Sequence, residues 1–216
     1  MGRTKKLLNK EECVRVLDLL HETYPEAECE LIHTDVFELL VKVVLSAQTT
    51  DKSVNAISSE LFGRWPDAAS LAGANMDEVQ QVIKTIGMFR QKSKNIVRLS
   101  QKLMEEFGGD VPGDMEELMT LPGVGRKSAN VVLSVGFGEQ HIAVDTHVFR
   151  VSNRIGLCRE DDVTKTEESL MKRLPGARWT EAHHSLIWHG RRVCYARKPA
   201  CGSCVLNGIC LSQIIE

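Results

Sequence analysis

Long hydrophobic runs are missing from this 216-residue sequence. None approaches the roughly 18 consecutive apolar residues that mark a membrane span. A secretory leader is missing too. Met1-Gly2-Arg3-Thr4-Lys5-Lys6 is basic, but no apolar signal core follows it. The expected location is the cytoplasm, associated with the nucleoid in a prokaryote, or the nucleus if the source is eukaryotic. Internal repeats, low-complexity tracts and long flexible linkers are absent, which excludes a solenoid or a string of beads. Alternating apolar and polar residues are absent as well, so no strand is expected. Charge of one sign is not in excess. The net charge is −2, which argues against wholesale coating of nucleic acid.

What is present is a helical pattern with enough apolar residues, 43%, to bury real cores. Apolar positions recur at helical spacing from Glu11 to Tyr24, and again from Asp51 through Phe62. Val36 to Ala47 is apolar on most sides, as a central helix of a bundle would be. Short helices are expected after Asp67 and from Asn75 to Ile83. A longer one should follow Gly87-Met88-Phe89 and reach Phe107. Further helices are expected after Asp145, near Glu167–Arg173 and over Thr180–Val193. The fold class is all-α, a compact two-lobed body. Charge is unevenly spread. Lys84, Arg90, Lys92, Lys94, Arg98 and Lys102 follow one another with no acid between them. Arg191, Arg192, Arg197 and Lys198 form a second basic group. A polyanion could bind one such face of a globally neutral protein.

One stretch combines these signals. Leu121-Pro122-Gly123-Val124-Gly125-Arg126-Lys127 joins two helix-like segments by a tight reversal, since glycine permits positive φ and close backbone approach. The second helix opens with bare N–H groups, a site for an anion such as a phosphate. Arg126 and Lys127 fall in its first turn, where the helix dipole disfavours cations. Either an anion sits there or one cation is meant to give up its proton. Asp145, before Thr146-His147-Val148, has the signature of an N-cap.

Seven cysteines are present, and four crowd the end as Cys194-x6-Cys201-x2-Cys204-x5-Cys210. Cys13, Cys29 and Cys158 read as scattered buried thiols. With no leader, disulfides are not the expected reading of the rest. Four thiolates suit a zinc ion or an iron–sulfur cluster. Zinc sites commonly use two C-x2-C pairs. Here there is one such pair, with outer ligands spread wide, and that spacing favours a [4Fe–4S] cluster over zinc. Arg197 and Lys198 project from this loop toward possible phosphates.

Together the hairpin, Asp145 and the cysteine tail are similar to the endonuclease III family of DNA glycosylases with lyase activity. Phe37-Glu38-Leu39-Leu40, Leu45-Ser46-Ala47-Gln48, Ile83-Lys84-Thr85-Ile86-Gly87, Ile142-Ala143-Val144-Asp145-Thr146-His147 and His189-Gly190-Arg191 extend the likeness over nearly the full chain. The resemblance implies a six-helix domain with the helix-hairpin-helix over residues 29–139. It implies a second domain, made of residues 1–28 and 140–216, that carries the cluster, with the active site in a groove between the two. Lys127 matches the family's nucleophile and Asp145 its essential carboxylate. Gly123 and Gly125, with the Val124 amide and Arg126, would hold a DNA phosphate. Gln48 and Met88 fall on loops where the family inserts side chains into the gap left by a flipped nucleotide; Met88 stands where Leu is usual. The implied partner is double-stranded DNA with damaged pyrimidines or abasic sites, bound by a monomer. Three rivals account for less. A binding-only hairpin protein needs neither Asp145 nor a cluster. The related adenine glycosylases generally lack a lysine at the position of Lys127. An electron carrier leaves the hairpin unexplained.

Overall fold

The computed structural model describes residues 7–213, so the basic stretch 1–6 lies outside it. All regular structure among the described residues is helical. The chain divides into two compact units. One is built from residues 1–28 and 140–216, the other from Cys29–Glu139.

The first helix, α1 (Lys10–Thr23), shows how short-range chemistry sets an element. The Asn9 side chain accepts from the Glu12 amide, and the Glu12 carboxylate accepts from the Asn9 amide. This reciprocal box satisfies two helix-end donors. Cys13, Val16, Leu17 and Leu20 share one face and are buried. The helix stops ahead of Pro25.

The second unit is organised around α2 (Val36–Leu45), capped by Asp35. Leu39, Leu40, Val41 and Leu45 have no exposed surface, and burying each Leu favours folding by about 1.5–3 kcal/mol. One buried member of this helix is charged. Lys42 is 4% exposed; its ammonium donates to the Ile32 carbonyl, pairs with Glu38 at 3.3 Å and lies 5.2 Å from the Phe62 ring centre. Around α2 stand α3 (Asp51–Arg64, cap Thr50), α4 (Ala68–Ala72, cap Asp67) and α5 (Met76–Ile83, cap Asn75). Both α4 and α5 lie along α6 (Phe89–Glu106). Then come α7 (Met115–Met119) and α8 (Arg126–Val131). The expected continuation beyond Asn130 is not plain α-helix. It widens into one π-helical turn, Val132–Gly136. A Cβ on Gly136 would lie 3.0 Å from Val36 and 3.2 Å from Leu39, so glycine is what lets this turn sit against α2.

The first unit resumes with α9 (Thr146–Ile155), α10 (Val163–Arg173) and α11 (Trp179–Arg192). The α10 helix starts earlier than its expected core near Glu167, because the Asp162 carboxylate accepts from the Lys165 amide at 2.8 Å. The α11 helix packs on α9 and on α1. Residues of α1 therefore share a core with Val148, Val151, Ile155, Leu170 and Leu186. Cys13 and Cys158 are buried in that core as expected, whereas Cys29 is only half-buried. No helix among the described residues is long and apolar enough to cross a membrane.

Candidate functional site

The hairpin is assembled from α7, a turn and α8. Asp114 caps α7, accepting from the amides of Glu116 and Glu117. Leu121 and Val124 are buried and anchor the turn in the core of their unit. Gly123 has φ +84°, and a Cβ there would come within 2.8 Å of Asn95 Nδ2 and 3.0 Å of Val44. Only glycine fits. The Val124 amide, expected to face a phosphate, already donates to the Leu121 carbonyl at 3.0 Å. It closes the turn and is held within the hairpin. Gly125 is the N-cap of α8 and has no capping side chain. Arg126 and Lys127 are the first two helical residues, as expected, and both are exposed. Ala129 and Asn130 on the same helix are buried. Helical phase thus turns the two cations outward while the opposite face holds the helix in place.

Gln48 and Met88 are exposed, and both are strained. Among the described residues, the non-glycine residues with left-handed backbone are Gln48 at φ 54°, Met88 at φ 57° and Lys198 at φ 50°. All three belong to the set expected to touch DNA. Such a conformation costs a residue with a Cβ about 1–2 kcal/mol. Strain of this kind persists where the surroundings impose it and gathers at binding sites. The two loops of the second unit are neighbours: a Cβ on Gly87 would lie 4.0 Å from the Gln48 carbonyl and from Thr49 Oγ1.

The basic run divides. Arg90, Lys94 and Arg98 are exposed at four-residue spacing on α6, one stripe of positive charge. Lys102 is half-buried, pairs with Glu106 and donates to the Thr120 carbonyl at 3.2 Å. Lys92 does not join the stripe. It is 3% exposed, with Nζ donating to Thr49 Oγ1 at 2.6 Å. Burial holds its ammonium below the usual lysine range.

In the first unit Asp145 caps α9 and accepts from the Val148 amide at 2.7 Å. Burial pushes His147 below the ordinary imidazole value; the Asp145 charge opposes this, while Arg150 and Arg191 add to it. His147 accepts from Arg150 Nη2 at 3.2 Å.

Cys194, Cys201, Cys204 and Cys210 all line one cavity of about 90 Å³. Burial pushes the Cys204 and Cys210 thiols up; backbone hydrogen bonds oppose this and neighbouring cysteines of the set add to it. Four mutually repelling sulfurs round one space need a shared cationic centre, so the donor set fits an iron–sulfur cluster. Two arginines missed at sequence level hold the loop. Arg150 donates to the Cys194 carbonyl through Nε at 3.2 Å and Nη2 at 3.1 Å. Arg154 donates to the carbonyls of Tyr195 at 2.6 Å and Ala196 at 2.8 Å, and its Nη1 lies 3.6 Å from Cys194 Sγ. Their four-residue spacing on α9 was the available signal. His189 is a third such residue, 3.5 Å from Cys204 Sγ through Nε2 and 3.1 Å from the Tyr24 hydroxyl through Nδ1. Arg197 and Lys198 are exposed on the same loop.

Comparison with known proteins decides what this constellation is. Residues 41–176 match the HhH-GPD superfamily of base excision DNA repair proteins, and residues 194–210 match the iron–sulfur binding domain of endonuclease III. The chain is 47% identical to endonuclease III of Bacillus subtilis over 94% of each chain. It is 43% identical to that of Escherichia coli K12 over 94% of this chain and 96% of the other. This chain belongs to the endonuclease III family. Its cofactor is a [4Fe–4S] cluster. The solved structure of an endonuclease III trapped as a covalent intermediate with DNA superposes with a TM-score of 0.91 at 45% identity, covering 96% of this chain and 98% of the other. A thermostable thymine-DNA glycosylase at 21% identity shares the fold, with a TM-score of 0.86.

Proposed function

We propose that this family member excises oxidised pyrimidines from double-stranded DNA, with Lys127 as nucleophile and Asp145 as its catalytic carboxylate. The protein is a bifunctional DNA glycosylase and abasic-site lyase of base excision repair. The observation that carries the lysine assignment is its position. Lys127 is exposed at the second residue of a helix whose opposite face is buried, on a turn that only glycine can make.

The reaction follows from an amine at that point. Lys127 Nζ, as the free amine, attacks C1′ of the extruded nucleotide, and the bond to the damaged base breaks with its electrons leaving on the base, which takes up a proton as the amine loses one. The sugar ring then opens at C1′–O4′, O4′ taking a proton, and the resulting protonated imine acidifies C2′–H. Loss of that proton expels the 3′ phosphate by β-elimination, and water then releases the lysine. Asp145, kept in place by the Val148 amide, supplies a fixed negative charge against the cation developing on the sugar and a proton acceptor for the amine or water. The amides of Gly123 and Gly125, with Arg126, hold a backbone phosphate and set register without reading sequence. Gln48 and Met88 enter the space vacated by the nucleotide, Met88 as a flexible apolar wedge. Their left-handed backbones support that role. A damaged base costs less to extrude than a paired one, so selection begins before the pocket.

Cys194, Cys201, Cys204 and Cys210 are the proposed cluster ligands. When bound, the cluster supplies positive charge that the four thiolates require and so fixes the loop presenting Arg197 and Lys198 to phosphates. The protein acts as a monomer. The endonuclease III relatives from Bacillus subtilis and Escherichia coli are bacterial proteins, which supports action on the nucleoid within the cytoplasm. The test is a panel of duplexes bearing thymine glycol, other oxidised bases or an abasic site, treated with borohydride. Trapped adducts and 3′ cleavage on oxidised pyrimidines are expected. Trapping confined to abasic DNA would remove the glycosylase assignment.

A further inference from the structure

Lys92 is a cation in the wrong place. It is buried in the second unit, and its ammonium meets the neutral hydroxyl of Thr49. Burying a charge without a carboxylate is costly, and an apolar residue of similar length would fill the space at less cost. What Lys92 joins explains its presence. Through Nζ it holds Thr49, the residue after left-handed Gln48. Its own helix starts at left-handed Met88, whose carbonyl accepts the first i→i−4 bond of α6 from the Lys92 amide at 3.0 Å. The side-chain bond to Thr49 therefore ties one strained loop to the helix that the other begins. Three residues on, Asn95 lies against Gly123 of the hairpin turn. The first turns of α6 therefore carry one contact to each of the three DNA-facing loops of this unit.

We propose that Lys92 is a positioning residue for nucleotide extrusion, setting the Gln48 and Met88 loops in fixed register so that both side chains enter the duplex together. Each loop alone would relax to an ordinary backbone and recover its strain. The hydrogen bond from a charged donor holds one strained turn against the other. This inference rests on the reading of Gln48 and Met88 as the inserted residues.

The experiment compares two substrates. A duplex with thymine glycol requires extrusion; an abasic site in a single-stranded oligonucleotide does not. Lys92→Met keeps the length of the side chain and deletes the donor, while Thr49→Val deletes the acceptor. Each is expected to lower the ratio of duplex excision to single-strand cleavage by about tenfold, the size set by one hydrogen bond to a charged group. A stopped-flow 2-aminopurine signal beside the lesion should slow by the same factor. A purely structural role would lower both activities together, and that result overturns the proposal. If Lys92→Met does not fold, Thr49→Val carries the test. Met88→Ala and Gln48→Ala separate the two levels. If they lower the ratio and the Lys92 and Thr49 variants do not, the positioning role is wrong and insertion stands. If neither Met88→Ala nor Gln48→Ala lowers it, insertion itself is wrong, and the role of Lys92 falls with it.

Discussion

Replacing Gly123 by alanine tests how the hairpin is built. Two costs arise from separate features. The backbone is left-handed at φ +84°, and a Cβ there costs about 1–2 kcal/mol. The added atom would also sit 2.8 Å from Asn95 Nδ2 and 3.0 Å from Val44. Asn95 can swing away, at the loss of its 2.8 Å hydrogen bond from Gln91. Val44 is 2% exposed on the central helix and has no room to move. Overpacking against such a residue costs about 1–3 kcal/mol. Gly123→Ala should therefore lose about 2–5 kcal/mol, or about 4–20 °C of melting temperature in a chain of this size. The assay is denaturant unfolding of the cluster-loaded protein, read by circular dichroism. Adding Asn95→Ala should return only the part of the loss owed to the asparagine, leaving the backbone cost and the Val44 contact. A single-variant loss below about 0.5 kcal/mol, the range of ordinary surface changes, would mean that neither the backbone nor Val44 constrains position 123.

Three further outcomes are expected. Asp145→Asn keeps a good N-cap, so melting should shift little while excision falls by about 10²–10⁴, as for loss of a general acid–base group; a parallel fall in stability would reduce Asp145 to a cap. Arg154→Met removes the donors to Tyr195 and Ala196, and the cluster's visible absorbance should be lost faster to a chelator; an unchanged rate would remove its role as a clamp. Burial pushes His184 down to about 4 from 6.5, so the unfolded chain binds its proton first as pH falls. Stability from this residue is complete above about pH 6.5 and declines toward pH 4, by about 2 kcal/mol between pH 7.5 and pH 5. His184→Asn should flatten that part of the pH dependence, and an unaltered slope would contradict the burial argument.

Much of the fold was legible because its helix starts are written in single residues. Asp35, Thr50, Asp67, Asn75 and Asp145 each cap the helix that follows them. The cysteine spacing was legible for a similar reason: a short loop with glycine turns has few ways to converge four thiols. Other features lay beyond short-range chemistry. Left-handed backbone is expected of glycine or asparagine, so nothing in Gln48 or Met88 announces it. The π turn after α8 is set by contact between Gly136 and α2, a tertiary constraint. Lys92 was misplaced by counting charges along the chain. Helical phase would have found it, since Ile96, Leu99 and Leu103 at i+4, i+7 and i+11 are all buried on its face.

In the proposed mechanism Lys127 forms the covalent bond to the sugar. Borohydride trapping on thymine-glycol duplex, followed by proteolysis and mass spectrometry of the adduct, tests it directly. The deoxyribose remnant is expected on Lys127, and Lys127→Gln should bind DNA yet give no adduct. A remnant on any other amine, or strand cleavage retained by Lys127→Gln, would contradict the assignment.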